Sequence, residues 1–304
     1  MEEKVIYPRT LVEGDRIAIV SPASCIDPAL VEGALPVLRA EGWDPYIAPS
    51  ALGCEGSYSG SAEARAADLY EALLDPSVRA VLCSRGGYGA IHLLEGFPSG
   101  AFLADPKWIV GFSDISALHA LASRLGVASV HSSMCKNLAI NHGGDVAARA
   151  LFGILRGEGV RYEVAAHPYN IYGTASGTLV GGNMAVLGGL IGTRYDIFSY
   201  PDPVIFIEDI AEPIYKVERL LYQLRFAGVL SRAKGIIVGQ FTEYRPDRNY
   251  TAMYDMIRDM TRGLGIPVAF DFPIGHVDGN MPVIESAPCC LSVTDEGVTF
   301  TQTQ

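Results

Sequence analysis

Trp108-Ile109-Val110-Gly111-Phe112-Ser113-Asp114-Ile115 runs from an apolar segment through a glycine and an aromatic residue to a serine and an aspartate. Beyond it Ile115, Leu118, Leu121, Ala122 and Leu125 recur at helical spacing, and Gly126 closes the pattern. The segment therefore reads as strand, sharp turn, helix. A serine at such a turn lies at the positive end of a helix, beside the backbone N–H of Asp114. An activated serine needs that setting, an exposed hydroxyl next to a donor for a developing oxyanion. Serine is also a favoured helix cap, so from this stretch alone both roles stay open.

The flanking chain repeats the pattern. Apolar runs at Arg16–Ser21, Trp43–Ala48, Arg79–Ser84, Trp108–Phe112 and Val127–His131 read as strands. Helical patterns cover Ala29–Glu41, the run capped by Ser61 up to Leu74, a segment from Ala90, and Asp145–Arg156. Alternation of this kind predicts an α/β domain, a parallel sheet covered on both faces. Ligands bind such sheets at the carboxyl ends of the strands. Arg85-Gly86-Gly87-Tyr88-Gly89 and Gly111–Asp114 both leave strands at that end.

Residues 157–170 read as a crossover, after which the pattern changes. Short apolar runs at Thr178–Val180, Val204–Ile207, Ile236–Val238, Val268–Phe272, Cys290–Val293 and Val298–Thr301 mix with few helices. The clearest helix is Ile214–Leu224 behind Pro213. This half is expected to be α+β and rich in strand.

The chain has 304 residues, 49% of them hydrophobic and 19% charged, with net charge −11. That composition suits a well-buried globule. The acidic balance argues against nucleic acid as partner and offers no basic membrane patch. The six cysteines form no CxxC pair and no regular framework, as expected in a reducing cytoplasm. Met1–Leu11 lacks the apolar core of a signal peptide, and no window has the length of a membrane span.

Several groups could carry chemistry. The Arg85–Gly89 loop reads first as a tight turn, then as an oxyanion loop, and last as a nucleotide site, because it lacks the P-loop lysine and spacing. Ile205-Phe206-Ile207-Glu208-Asp209 is a strand ending in two acids. Asp209 or Glu212 could cap a helix or pair with Lys216 or Arg219, and two carboxylates could hold a divalent cation, though no further ligand cluster supports one. His276, in the turn-rich Phe272–Asn280 loop, is a candidate general base, with His131 its rival.

Together these pieces resemble the LD-carboxypeptidases, the murein tetrapeptide carboxypeptidase family of serine peptidases, which includes microcin C immunity peptidases. The matching stretches are Gly14–Ala23, Arg85–Gly89, Gly111–Asp114, Gly181-Gly182-Asn183-Met184-Ala185-Val186-Leu187, Ile207–Asp209 with Glu218-Arg219, and Gly275-His276, in family order along nearly the whole chain. The resemblance implies a doubly wound N-terminal α/β domain, 1–157, carrying nucleophile Ser113. It implies a β-rich C-terminal α+β domain, 158–304, carrying acid Glu208 and base His276. The backbone N–H groups of Asp114 and Gly87 would then hold the oxyanion, with Arg85 a candidate substrate-binding residue and no metal or cofactor required. It further implies a cytoplasmic homodimer that acts on a small peptide, the murein tetrapeptide, cutting the LD-amide before a terminal D-alanine during peptidoglycan recycling. A neighbouring branch cuts peptide-nucleotide or acyl-sulfamoyl adenylate conjugates of microcin C and tends to carry a longer loop before the glutamate. The short Gly192–Pro203 segment here favours the murein type. A non-catalytic module holding a nucleotide or sugar is the reading of another class, and the presence of Ser, Glu and His at all three matching positions speaks against it.

Overall fold

The computed structural model describes residues 5–304, so part of the Met1–Leu11 segment lies outside the described residues. The strands are β1 (Arg16–Val20), β2 (Asp44–Ile47), β3 (Val78–Cys83), β4 (Trp108–Gly111), β5 (Ser129–His131), β6 (Val160–Ala165), β7 (Gly173–Asn183), β8 (Pro203–Ile210), β9 (Gly235–Thr242), β10 (Val268–Ala269), β11 (Val283–Glu285), β12 (Pro288–Val293) and β13 (Gly297–Gln302). They form two sheets, and the described residues divide into two compact units: 5–158 with 281–285 and 304, and 159–280 with 286–303.

The first unit has the sheet order β11-β5-β4-β3-β1-β2. β2, β1, β3, β4 and β5 run parallel, and β11 adds an antiparallel edge. Ile17, Ala18, Ile19 and Val20 are all buried, as a strand covered on both faces requires. The order reverses between β1 and β3. Right-handed crossovers in the two directions then put helices on both faces, giving the doubly wound α/β architecture. The reversal also leaves a crevice beyond the carboxyl ends of β1 and β3, where the glycine loop begins.

Local signals set the helices. Asp27 caps Pro28–Ala40, Ser61 caps Ala62–Leu74 and Asp145 caps Val146–Leu155, each side-chain oxygen accepting a backbone N–H of the first turn. The helix expected from Ala90 is a single 3-10 turn, Ala90–Leu93.

The second unit is built on a mixed seven-stranded sheet, β10-β9-β8-β7-β12-β13-β6. β7 to β10 run parallel and β12, β13 and β6 antiparallel. The crossover expected at 157–170 contains a strand, β6, in which Val160 and Tyr162 are buried while Arg161 and Glu163 are exposed. The run expected over Val268–Phe272 breaks after Val268 and Ala269, because the Phe270 N–H turns to Asn170 Oδ1 and Asp271 takes a φ of 58°, and the Phe272 N–H then returns to Val238 O at 3.1 Å. A boundary at 157/158 leaves β11 in the C-terminal half, yet its hydrogen bonds join it to β5 in the first sheet. Among the described residues no helix is long and apolar enough to cross a membrane.

Candidate active site

Ser113 follows β4 directly and has a φ of 65°, the left-handed region that non-glycine residues rarely enter. It opens a 3-10 turn, Ser113–Ile115, which leads into the helix Ser116–Arg124. Phe112, in extended conformation, holds the N-cap position, so Ser113 is not the capping residue. Strain of this kind at a strand-to-helix turn is what lifts a nucleophilic serine out of the backbone in hydrolases.

The turn is fixed from below. His119 is fully buried, with Nε2 2.8 Å from Gly111 O and Nδ1 2.8 Å from Ser129 Oγ. A carbonyl only accepts, so Nε2 carries the proton and Nδ1 accepts from the Ser129 hydroxyl. Burial holds its pKa down, at about 4, despite the carbonyl contact. Gly111 O also accepts the Ser132 N–H at 3.0 Å, which ties the end of β4 to the chain leaving β5. His131, the rival base, is fully buried within β5 and belongs to the core.

The glycine loop packs on the serine turn. A Cβ at Gly86 would lie 2.9 Å from Ser113 Cβ and 3.0 Å from both Ser113 Oγ and Asp114 N, so only glycine lets the backbone approach so closely. Gly87, the expected oxyanion donor, has a φ of 106°, and a Cβ there would lie 2.7 Å from Ser24 Cβ. Gly86, beside it, is a close-approach residue that sequence reasoning did not single out, and its signal was the doubled glycine. Ser24 clasps the loop through its N–H to Gly86 O at 3.3 Å and its Oγ, which accepts the Tyr88 N–H at 3.2 Å. Arg85 donates through Nη1 to Cys25 O at 3.1 Å, which anchors it to the neighbouring loop. The Asp114 carboxylate is buried and accepts the Ala90 N–H at 2.8 Å. Burial raises its pKa, while the Ala90 N–H pulls the other way.

In the second unit β8 delivers two adjacent acids whose side chains alternate across the sheet. Glu208 is fully buried, and its Oε2 lies 2.8 Å from His276 Nδ1. A carboxylate only accepts, so Nδ1 carries a proton and Nε2 is the ring nitrogen turned away from the acid. Asp209 instead accepts from Asn183 Nδ2 at 2.8 Å and from the Ala185 and Ile210 N–H groups at 2.9 Å each. Burial, and next the charge of Glu208, push its pKa up to about 6. Glu212 pairs with Lys216 at 2.9 Å. The acids thus divide: Glu208 meets the imidazole, Asp209 holds the start of the short helix Met184–Gly188, and Glu212 pairs with Lys216. Among the described residues no group of three or more His, Cys, Asp or Glu side chains is arranged to hold a metal ion.

The His276 loop is pinned by backbone. Gln240 N–H donates to Ile274 O at 2.8 Å, and Gly275 N–H to Asn280 Oδ1 at 2.9 Å. The β8/β9 register shifts between Ile207 and Asp209, opposite this contact. Such a bulge re-aims the side chain beside it, here Glu208.

Comparison with known proteins agrees with this architecture. Residues 17–132 match the LD-carboxypeptidase N-terminal domain and residues 176–291 the LD-carboxypeptidase C-terminal domain. A Streptomyces coelicolor relative named as a carboxypeptidase is 32% identical over 293 residues, covering 95% of this chain and 94% of the relative. The murein tetrapeptide carboxypeptidase of Pseudomonas aeruginosa is 28% identical over 274 residues, covering 86% and 88%. The fold is shared with the muramoyltetrapeptide carboxypeptidase of Oxalobacter formigenes, with TM-score 0.86, 23% identity and coverage of 95% and 99%. It is shared equally with MccF bound to glutamyl sulfamoyl guanosine, with TM-score 0.85, 20% identity and coverage of 97% and 98%.

Proposed function

This chain belongs to the LD-carboxypeptidase family, and from that premise we propose that it is a serine carboxypeptidase removing the terminal D-alanine of murein tetrapeptides. The observation that carries the reading is the buried Glu208 carboxylate 2.8 Å from His276 Nδ1. That contact sets the ring's tautomer and stabilises its charged form, the task of the acid in a triad. In this reading His276 Nε2 takes the proton of Ser113 Oγ as the oxygen attacks the carbonyl of the LD-amide. The N–H groups of Asp114 and Gly87 hold the oxyanion. The imidazolium then gives its proton to the amine of D-alanine, which leaves. A water deprotonated by the same ring releases the acyl group from Ser113. Arg85 is the cation proposed to meet the substrate's terminal carboxylate, and no step is routed through a metal. We assign the enzyme to the cytoplasm, as a homodimer serving peptidoglycan recycling.

The test is incubation with murein tetrapeptide, with its all-L isomer and with an aminoacyl sulfamoyl nucleoside, reading products by mass. Alanine released from the first substrate alone is expected. Ser113→Ala, Glu208→Ala and His276→Ala should each cost several orders of magnitude in kcat, with losses that do not add. Cleavage of the sulfamoyl nucleoside in place of the tetrapeptide would transfer the assignment to the microcin type, which the fold shared with MccF makes the natural competitor.

A further inference from the structure

Arg65 sits on the helix Ala62–Leu74 and is 2% exposed. Its guanidinium donates to carbonyls of three loops. Nε reaches Gly60 O at 3.0 Å, while Nη1 reaches Pro22 O at 2.6 Å and Gly89 O at 3.0 Å. Nη2 lies 3.1 Å from His92 Nδ1, which must be the acceptor because a guanidinium only donates. The face of the Tyr58 ring lies 4.9 Å from the cation.

Gly89 O and Ala90 N–H belong to one peptide group. Arg65 donates to its oxygen, and Asp114 accepts from its nitrogen at 2.8 Å. A cation and an anion therefore grip the two ends of one amide dipole, an arrangement that strengthens both hydrogen bonds. This amide terminates the loop whose other end is clasped by Ser24, and between them Gly86 abuts Ser113.

We infer that Arg65 and the Asp114 side chain act together as a positioning pair, fixing the glycine loop against Ser113 so that its backbone N–H meets the oxyanion. The inference rests on the serine-peptidase reading above. Neither side chain touches substrate in this scheme. Both act through the Gly89–Ala90 peptide.

The experiment is a double-mutant cycle with Arg65→Lys and Asp114→Asn in the full chain, assayed on murein tetrapeptide. Each single change should lower kcat about 10- to 100-fold, the cost of slightly misplaced donors, with KM within about threefold of the parent. The double variant should lose little more than the worse single one, because both release the same peptide. Losses that multiply, or that fall on KM alone, would overturn the inference, as would unchanged kcat in folded single variants. Should Arg65→Lys fail to fold, Asp114→Asn alone still decides through its split between kcat and KM. An active Ser113→Ala enzyme would instead remove the serine reading itself, and that outcome is distinct from a dead Ser113→Ala enzyme beside fully active Arg65→Lys and Asp114→Asn.

Discussion

Ser113 holds a backbone conformation that a side chain makes costly, and the hydroxyl is the reason to tolerate it. Ser113→Ala and Ser113→Gly both remove Oγ and should both be inactive. Only glycine relieves the left-handed φ of 65°, so Ser113→Gly should be more stable than Ser113→Ala by about 1 kcal/mol in urea unfolding. Equal stabilities would show that the turn carries no strain. His119 makes a second prediction at this scale. Its folded pKa of about 4 lies below its ordinary 6.5, so between these values the unfolded chain binds a proton that the folded chain refuses. Stability contributed by neutral His119 is complete above about pH 6.5 and is lost as pH falls towards 4, by roughly 3 kcal/mol in all. Replacing His119 with Gln should flatten this part of the stability profile even though the variant is weaker at pH 7. Parallel profiles for variant and parent would contradict that account.

At the scale of elements the site is made by strand ends and the turns behind them. Gly275 takes a φ of 121°, and a Cβ there would lie 2.9 Å from Glu208 Cβ and 3.0 Å from Oε2. Gly275→Ala should therefore cost about 2 kcal/mol in stability and lower kcat about 100-fold by disturbing the carboxylate–imidazole contact. A normal kcat in a destabilised variant would mean that the pair tolerates displacement. Much of this architecture was legible beforehand. Ser61 announced its helix because a cap is a local interaction, and β8 could be read up to Glu208 from its apolar run. The division of labour between Glu208 and Asp209 came from the family resemblance and not from any local pattern, since it depends on Asn183 and Ala185 arriving from the neighbouring strand and helix. Arg65 reads in sequence as a surface charge on an amphipathic helix. Its burial is set by three carbonyls from separate loops, and no local pattern encodes them. The Ala90 segment, helical in composition, stops after one turn.

At the scale of the whole molecule, the strand β11 departs from chain order. Val283, Ile284 and Glu285 are all fully buried, and together they cover the edge of β5 in the first unit's sheet. The pattern could not reveal them, because three residues are too few for a period and their stability comes from a partner far away in sequence. A fragment of residues 1–158 lacks this strand and exposes the β5 edge, with its free N–H and C=O groups. It should aggregate or unfold at lower denaturant than the first unit within the full chain, as followed by light scattering and urea titration. A monomeric fragment of unchanged stability would make β11 an ornament.

The same strand has a bearing on biosynthesis. Ribosomes deliver polypeptide at about 5–20 residues per second, and early domains ordinarily fold as they emerge. Here the leading sheet waits for Glu285 while the intervening segment is translated, a delay on the order of ten seconds. During that interval β5 presents an open border to other nascent chains, so its protection falls to chaperones or to the speed of the translating ribosome.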